Sequence, residues 1–396
     1  MSRSNTFKST SLSNEFNDRG GMILSSRSGI VASVIIVVLV FSLVGSYVFL
    51  TNQYVPPDVV VVTVQPGFGD LSMADQVDLG LHELSGDVVV SIEYRVAENQ
   101  GDAQIVLDGL ASSGIYELII VVGEDLAEEV QAVASDYPGQ RFAFIGGSVS
   151  ASNVISAVFS QYQAAFLAGA LAAYMSSGNT NRSSIVGIIG SIASNPTVQH
   201  LIAGFKQGLI YANSTGNLNV TLLPDQFVGS YNDSEEARSL AYQMFNPYNP
   251  NGNATVIFAP VRASILGIRE AMVLANETWF HDIGGREPFI IAAEGDQDFM
   301  GLPDINTRTG YSWVLASVVP RSDLAVYRII NATMWDDFSP LQAQSPLLYN
   351  LTNGGVNLTE FQFINDFWTP HSVLVTISNY RTMILNGTIV VQETWP

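Results

Sequence analysis

Acidic, hydroxyl and aromatic side chains follow several apolar runs of this chain at the point where each run ends. Asp70 and Ser72 stand in a glycine-rich turn after the run Val59–Val64, and Glu294 follows the run Phe289–Ala293. A turn that opens a helix offers free backbone N–H groups and a partial positive charge. Ligands of open α/β sheets bind at the carboxyl ends of the strands. These positions predict a binding site for a small polar molecule.

Two further side chains suit such a site, although each has a plainer interpretation. Tyr231 offers an aromatic face to a planar ligand, or it merely covers the helix that follows it. Arg262 offers a guanidinium fork to a carboxylate or to hydroxyl groups, or it is a surface arginine at a helix start. In the same way, Asp70 and Ser72 either bind ligand or cap the helix that starts near Met73.

Catalytic and metal-binding motifs find little support in the sequence. There is no H-E-x-x-H motif, no G-x-S-x-G motif and no P-loop. The acidic pair Asp296 and Asp298 suits a calcium loop, but two carboxylates alone are poor evidence for one. We therefore expect no enzyme, no metal site and no cofactor. The histidines are far apart in sequence, at His82, His200, His281 and His371.

The N-terminal part contains one long apolar run, Gly29–Leu50, which has no charged residue. Its 22 residues would reach about 33 Å as a helix, enough for a hydrocarbon core of about 30 Å. The tail before it is basic, which predicts a cytoplasmic N-terminus. The run is longer than a signal-peptide core, no A-x-A-like site follows it, and no cysteine is present to carry a lipid. We expect a single-pass membrane protein with its C-terminal domain extracellular.

Acceptor motifs for N-glycosylation are in excess beyond this run. Ten asparagines begin N-x-S/T, where chance would give about three. This excess favours a glycoprotein exposed outside the cell. The candidate acceptors are Asn181, Asn213, Asn219, Asn232, Asn253, Asn276, Asn331, Asn350, Asn357 and Asn386.

Charge and cysteine content restrict the partners of the domain that follows. Beyond the apolar run the chain has 12 Lys plus Arg and 34 Asp plus Glu, a net charge of −22. Such a surface repels nucleic acid and anionic lipid headgroups. Because the chain has no cysteine, an apolar core has to supply the stability.

Beyond the apolar run, β-branched stretches alternate with helical patterns. Strands such as Val59–Val64 and Ile185–Gly190 precede helices such as Met73–Leu84 and Thr197–Tyr211. This alternation is typical of βαβ units with parallel sheets. We expect an α/β fold with two successive parallel-sheet lobes, each flanked by helices, and a ligand cleft between them. The Ala-rich stretch Ala164–Met175 is too short to cross a membrane and indicates close helix packing.

Seven motifs in order resemble the basic membrane protein family, the purine nucleoside receptor-like branch of type I periplasmic binding proteins. They are the turn Gly67–Ala74, the strand Tyr116–Gly123, the helix Ala164–Gly169, the unit Val186–Gly208, and the segments Phe227–Asp233, Ala292–Gln297 and Ser317–Tyr327.

The resemblance implies a two-lobed type I periplasmic-binding-protein fold that captures a solute for an ABC importer, with permease and ATPase subunits as partners. It also implies ligand contacts at Asp70, Ser72, Met73, Tyr231 and Glu294. Several of these depart from the family pattern, since Met73 replaces a Phe, Tyr231 a stacking Phe and Glu294 an Asp. With Arg262, they form the predicted ligand site. A nucleoside suits it because an aromatic face and a carboxylate match a base and a ribose diol.

Two functions are consistent with these sequence features. The first is a membrane-anchored solute-binding protein of an ABC importer that binds a small polar molecule such as a nucleoside. The second keeps the fold but makes the chain a sensor or interaction protein with an altered cleft. The expected divisions of the chain are a tail at 1–28, an anchor at 29–50, a linker at 51–58 and a solute-binding domain at 59–396. Within that domain, lobe 1 is expected at about 59–158 with part of 320–396. Lobe 2 is expected at about 159–316 with part of 340–396.

Overall fold

The computed structural model describes Val40 and residues 58–84, 90–177, 182–281, 287–361, 363–364 and 369–395. The chain divides into two units, Met1–Pro56 and Pro57–Pro396. Of the first unit only Val40 is described, and all the sheets and connecting helices named below belong to the second.

The first sheet has six strands, all parallel, in the order β12-β5-β4-β3-β1-β2. The first four residues of β1 are fully buried, as expected for a parallel strand covered on both faces. The strands are β1 (Val59–Val64), β2 (Ile92–Ala97), β3 (Leu118–Val122), β4 (Phe142–Ile145), β5 (Val154–Phe159) and β12 (Leu347–Tyr349).

The second sheet has the order β13-β11-β10-β9-β6-β7, and β8 pairs with β6 beside this path. Its strands are parallel except β13, which runs antiparallel to β11. The strands are β6 (Ile185–Gly190), β7 (Thr221–Leu222), β8 (Gln226–Phe227), β9 (Val256–Ala259), β10 (Phe289–Ala293), β11 (Val314–Pro320) and β13 (Val356–Leu358).

Helices connect most of these strands. Single short turns of 3₁₀-helix follow β3, β9 and β10 at Glu124–Leu126, Arg262–Ser264 and Asp298–Gly301, and a π-helical turn lies at Asn276–Phe280. The α-helices are α1 (Met73–Leu84), α2 (Gln100–Ser113), α3 (Ala127–Asp136), α4 (Gln161–Ser177), α5 (Pro196–Thr215), α6 (Ser234–Phe245), α7 (Ile265–Ala275), α8 (Ser322–Met334), α9 (Phe338–Gln342) and α10 (His371–Leu385).

The Ala-rich helix α4 is a buried core helix packed closely on α5. A Cβ atom on Gly169 would lie 1.9 Å from the carbonyl oxygen of Phe205, and one on Gly208 would lie 1.8 Å from that of Phe166. Only glycine at these positions lets the two backbones approach so closely. The packing interpretation of the Ala-rich stretch is thereby confirmed.

Two predicted strands differ from the observed elements. The expected strand Val220–Val228 is two short pieces, β7 and β8, separated around Pro224, whose missing N–H interrupts a ladder. The strand expected at Val88–Tyr94 is observed at Ile92–Ala97 as β2, in register with β1. It is less apolar than its neighbours because it is the edge strand of the sheet.

The predicted membrane span Gly29–Leu50 lies outside the described residues apart from Val40. Among the residues that the structure describes, no helix is both long enough and apolar enough to cross a membrane. The expected fold is therefore present as two mainly parallel sheets with flanking helices, without a spanning helix in the described part of the chain.

Candidate functional site

Polar side chains from both sheets meet at the carboxyl ends of their strands. Asp70 follows β1, and Glu124 with Asp125 follows β3 of the first sheet. Arg262 follows β9 and Glu294 follows β10 of the second sheet. Together with Tyr231, which precedes α6, these residues form what we call the cleft cluster. The space between the carboxyl ends of the two sheets is called the cleft.

Arg262 links the two sheets through two ion pairs. Its Nε donates to Oε2 of Glu294 at 2.6 Å, and its Nη2 donates to Oε1 of Glu124 at 3.2 Å. The side chains of Arg262, Glu294 and Glu124 are only 12%, 3% and 11% exposed. This is a largely buried carboxylate–guanidinium–carboxylate arrangement, one carboxylate from each sheet.

Tyr231 provides the aromatic face of the cluster. The guanidinium carbon of Arg262 lies 4.0 Å from the centre of its ring. The Tyr231 hydroxyl donates to Oδ2 of Asp125 at 2.9 Å and accepts from Nδ2 of Asn195 at 2.9 Å. The same amide of Asn195 donates to Oε1 of Glu124 at 2.8 Å. Both faces of the cleft are thus joined by hydrogen bonds around one ring.

The glycine-rich turn after β1 is ordered by its own carboxylates. Oδ1 of Asp70 accepts from the N–H and the hydroxyl of Ser72, at 3.0 and 2.5 Å. Asp75 accepts from the N–H groups of Gly69 and Leu71 at 2.7 and 2.5 Å. Because the Ser72 hydroxyl donates to Asp70, both side chains are held in the turn.

Buried Gln297 connects this turn to the second sheet. Its Nε2 donates to the carbonyl oxygens of Asp70 and Arg262, at 3.4 and 3.3 Å. Close by, a Cβ atom on Gly295 would lie 1.8 Å from the carbonyl oxygen of Leu71. The backbones of the two sheets' loops therefore touch beside the cluster, and glycine is required at this contact.

Three residues of the site that are not glycine have left-handed backbones. The φ angles are 62° at Leu71, 50° at Arg262 and 70° at Glu294. Such conformations are rare for L-residues and concentrate at binding and catalytic sites. Three strained backbone positions therefore lie together at the cleft, where they fix the directions of the Arg262 and Glu294 side chains.

The pKa values of the cluster reflect burial of like charges. Burial raises the pKa of Glu294 to about 7, opposed by Arg262 and reinforced by Glu124 and Asp70. Burial also raises the pKa values of Asp70 and Asp125. For Arg262, burial acts to lower the pKa, but the charges of Glu294 and Glu124 outweigh it and raise the pKa above its ordinary value. The guanidinium therefore stays charged.

A small cavity lies in this cleft. The cavity between the turn after β1, the end of β3 and Arg262 has a volume of about 20 Å³. That is room for about one water molecule. The cavity's polar lining comes mainly from Asp70, Ser72, Glu124, Asp125 and Arg262.

The structure brings all six predicted site residues to this one place. Asp70, Ser72 and Met73 line the small cavity with Arg262, and Arg262 in turn contacts Tyr231 and Glu294. Met73 is mostly buried in the core of the first sheet. The six residues therefore lie close together in the structure. That they contact a ligand remains a prediction.

Four polar residues of the site were missed by sequence reasoning, namely Glu124, Asp125, Asn195 and Gln297. The first two directly follow Gly123 at the end of β3, so the signal that identified Glu294 was present there too. Asn195 has the sequence signature of a helix cap, and its Oδ1 does accept from the N–H of Val198 at 2.9 Å. Its amide group is what faces the cluster.

Asp298 is connected to Gln297 through the hydroxyl of Ser317. It accepts a hydrogen bond from the Ser317 hydroxyl at 2.6 Å, and that hydroxyl accepts from the N–H of Gln297 at 3.0 Å. Burial, with neighbouring Asp296, raises the pKa of Asp298 to about 7. In the described part of the chain, no group of three or more His, Cys, Asp or Glu side chains is placed to hold a metal ion.

The predicted glycosylation acceptors that the structure describes are not buried. Asn219, Asn232 and Asn386 are exposed, and the others are half-buried. Asn181 lies outside the described residues. Occupancy of these sites remains a prediction.

Comparison with known proteins gives relatives of moderate sequence identity. An uncharacterized lipoprotein of Pyrococcus abyssi is 28% identical over 218 residues, 53% of this chain and 50% of that protein. The chain thus spans half the length of that relative. The ABC transporter nucleoside-binding protein BmpA of Lactococcus lactis is 24% identical over 272 residues, 67% of this chain and 66% of that protein.

A solved structure supports the fold. An ABC transporter solute-binding protein from Aeropyrum pernix K1 superposes with a TM-score of 0.69 at 21% identity, and covers 85% of this chain and 94% of its own. The fold of the chain is that of ABC solute-binding proteins.

The predicted localisation, a single-pass membrane protein with a cytoplasmic N-terminus, is wrong. The Pyrococcus relatives are named lipoproteins, a class that is anchored through lipid, and no described helix could span a membrane. Apolar length and a basic flank also occur in secretory signal peptides. These two features therefore do not by themselves establish a single-pass topology.

One protein-family model matches most of the chain, from residue 58 to residue 382. The match includes both sheets and every residue of the cleft cluster. Members of this family are solute-binding proteins of ABC transporters and not enzymes. The resemblance seen in the seven sequence motifs is confirmed. The chain belongs to the Bmp family, described as ABC transporter substrate-binding protein PnrA-like.

Proposed function

We propose that this protein captures a small polar solute, of the size and polarity of a nucleoside, in the cleft and passes it to the permease and ATPase subunits of an ABC importer. The observation that carries the proposal is the convergence of Asp70, Tyr231, Arg262 and Glu294 from the two sheets on one buried place. Sites of this kind at strand ends receive ligands in α/β proteins.

Capture requires that the cleft opens and closes. The two sheets meet through side chains at their carboxyl ends, an arrangement suited to hinge closure around a ligand. Aromatic and carboxylate groups on facing walls suit a planar base and hydroxyl groups. The name of the Lactococcus relative supports a nucleoside as the first solute to test.

A ligand screen by thermal shift on the purified full chain tests this proposal. The compounds are nucleosides, sugars, amino acids and small amines. Binding at 100 times Kd should raise the stability by about 2.7 kcal/mol, which is readily seen as a higher melting temperature. If no compound in the screen shifts the melting temperature, the proposal fails.

A second function is favoured by one specific observation, the small cavity. A cavity of only about 20 Å³ beside an arginine that already covers the aromatic ring suits a sensor or interaction protein whose ligand site is closed by its own side chains. In that case no solute in the screen would bind, and the thermal shift separates the two functions.

A further inference from the structure

Arg262 occupies the place in the cleft where a ligand would sit. Its guanidinium covers the ring of Tyr231 and lies between the carboxylates of Glu124 and Glu294. Both carboxylates and the ring are therefore already engaged, and the cavity of about 20 Å³ beside Arg262 is too small for a solute. A solute that uses the aromatic face has to displace this guanidinium.

Displacing Arg262 has an electrostatic consequence. The cluster has four carboxyl groups, those of Asp70, Glu124, Asp125 and Glu294. Among the described residues, the one cation within ion-pair distance of any of them is Arg262. Without it, two largely buried glutamates would lose their counter-charge, which is strongly unfavourable.

Two buried acceptor atoms beside Arg262 have no donor among the described residues. Glu294 is 2% exposed, and its Oε1 has no hydrogen-bond partner in the described part of the chain. The same holds for Oε1 of Gln297, whose amide nitrogen donates to the carbonyl oxygen of Arg262. Buried acceptors are usually paired, so both atoms could accept from the N–H groups of a ligand that takes the place of Arg262.

We infer that the solute of this cleft is a small organic cation with a planar, N–H-bearing head, such as a guanidinium, an amidinium or a positively charged heterocycle. It takes the place of the Arg262 guanidinium between Glu124, Glu294 and the ring of Tyr231. A cation replaces a cation there, so both carboxylates keep a counter-charge and the ring keeps its cation–π contact. A neutral solute would leave the carboxylates unpaired. The inference rests on the proposed solute capture and specifies the charge of the solute.

The test is isothermal titration calorimetry of the full chain with the matched pair adenosine and 1-methyladenosine, which carries a positive charge at neutral pH. Agmatine, a guanidinium without a base, is the third probe. We expect 1-methyladenosine or agmatine to bind about tenfold or more tightly than adenosine.

Two variants locate the effect. Glu294→Gln and Glu124→Gln keep the side-chain shape and remove a charge, so each should weaken binding of the cation by about tenfold or more. Glu128→Gln, an exposed acid on α3, removes the same charge outside the cluster and should leave affinity unchanged. Melting curves of each variant establish that it is folded.

The outcomes separate the two claims. If adenosine binds as tightly as both cations, or alone, the cation inference is overturned while solute capture stands. If neither cation nor any compound of the thermal screen binds, both fall. If the cations bind and Glu294→Gln and Glu124→Gln bind them like the wild type, the cluster is not their site and the inference is overturned.

Discussion

The guanidinium carbon of Arg262 lies 4.0 Å from the centre of the Tyr231 ring, and two glutamates hold it there from opposite sheets. The Arg262 guanidinium thus fills the cleft. In our proposal the contact between Arg262 and Tyr231 stabilises the free protein, and a solute has to displace the guanidinium in order to bind. Both roles have consequences that can be measured.

Tyr231 contributes through its hydroxyl and its ring, and two variants separate these contributions. Tyr231→Phe loses the bonds to Asp125 and Asn195 and should lower the free energy of unfolding by about 1–2 kcal/mol. Tyr231→Ala also loses the cation–π contact with Arg262 and should cost about 2 kcal/mol more. Urea denaturation measures both.

Tyr248→Phe is the matched control for these variants. Tyr248 is 84% exposed, so losing its hydroxyl should change the stability by no more than about 0.5 kcal/mol. Equal stabilities for Tyr231→Phe and the wild type would show that the hydroxyl bonds do not hold the cleft.

Arg262→Gln tests whether the arginine blocks the site or serves it. The variant should lower the melting temperature of the free protein, because Glu124 and Glu294 lose their counter-charge. It should also raise the affinity for agmatine, since the competing guanidinium is gone. Arg238→Gln, at an exposed ion pair of α6, is the control and should change neither quantity. Weaker binding by Arg262→Gln would mean that the arginine contacts the solute instead.

Glu294 makes stability depend on pH. Its pKa is about 7 in the folded chain against an ordinary value of 4.5, under the influence of burial, Arg262 and Glu124. The folded state therefore holds a proton that the unfolded state lacks between these values. The stability from this proton is present below about pH 4.5 and lost as the pH rises through about 7, with a total of about 3 kcal/mol.

Glu294→Gln should remove this contribution. Between about pH 5 and about pH 8 its unfolding free energy should fall less than that of the wild type. Asp298 has a similarly raised pKa and leaves a residual slope in both proteins, so the difference between the two curves is the informative quantity. Glu128→Gln should keep the wild-type slope. Parallel curves for Glu294→Gln and the wild type would contradict the raised pKa.

Gly295 is the close contact between the turn after β1 and the second sheet. In Gly295→Ala the added Cβ would meet the carbonyl oxygen of Leu71 at 1.8 Å, so the closed cleft cannot form without a shift of backbone. We expect a larger radius of gyration by small-angle X-ray scattering and an affinity reduced by about tenfold or more. Gly109→Ala on α2, where a Cβ meets nothing within 4 Å, is the control. A scattering curve and an affinity like those of the wild type would show that Gly295 does not limit closure.

The fold was largely predictable because the strands are long apolar runs between clear helical patterns. Val59–Val64, Ile185–Gly190 and Phe289–Ala293 have the predicted bounds. Prediction failed where local pattern was weak, as at the proline-interrupted stretch Val220–Val228 and the edge strand β2. Edge strands carry fewer buried residues and so a fainter signal.

The site was predictable only as a set of positions. Glu294 followed from its place at a strand end, and the same reasoning applies to Glu124. The ion pairs of Arg262 with both residues depend on how the two sheets meet. These ion pairs could not be predicted from local sequence spacing, because Arg262 is separated from Glu124 and Glu294 by 138 and 32 positions.

The most direct test of solute capture is a crystal structure of the full chain with the tightest compound from the screen. We predict electron density for the solute between the ring of Tyr231 and the carboxylate of Glu294, with the guanidinium of Arg262 moved off the ring. A solute bound away from these residues would contradict solute capture in this cleft. Arg262 still seated on Tyr231 in the complex would contradict its displacement by the solute.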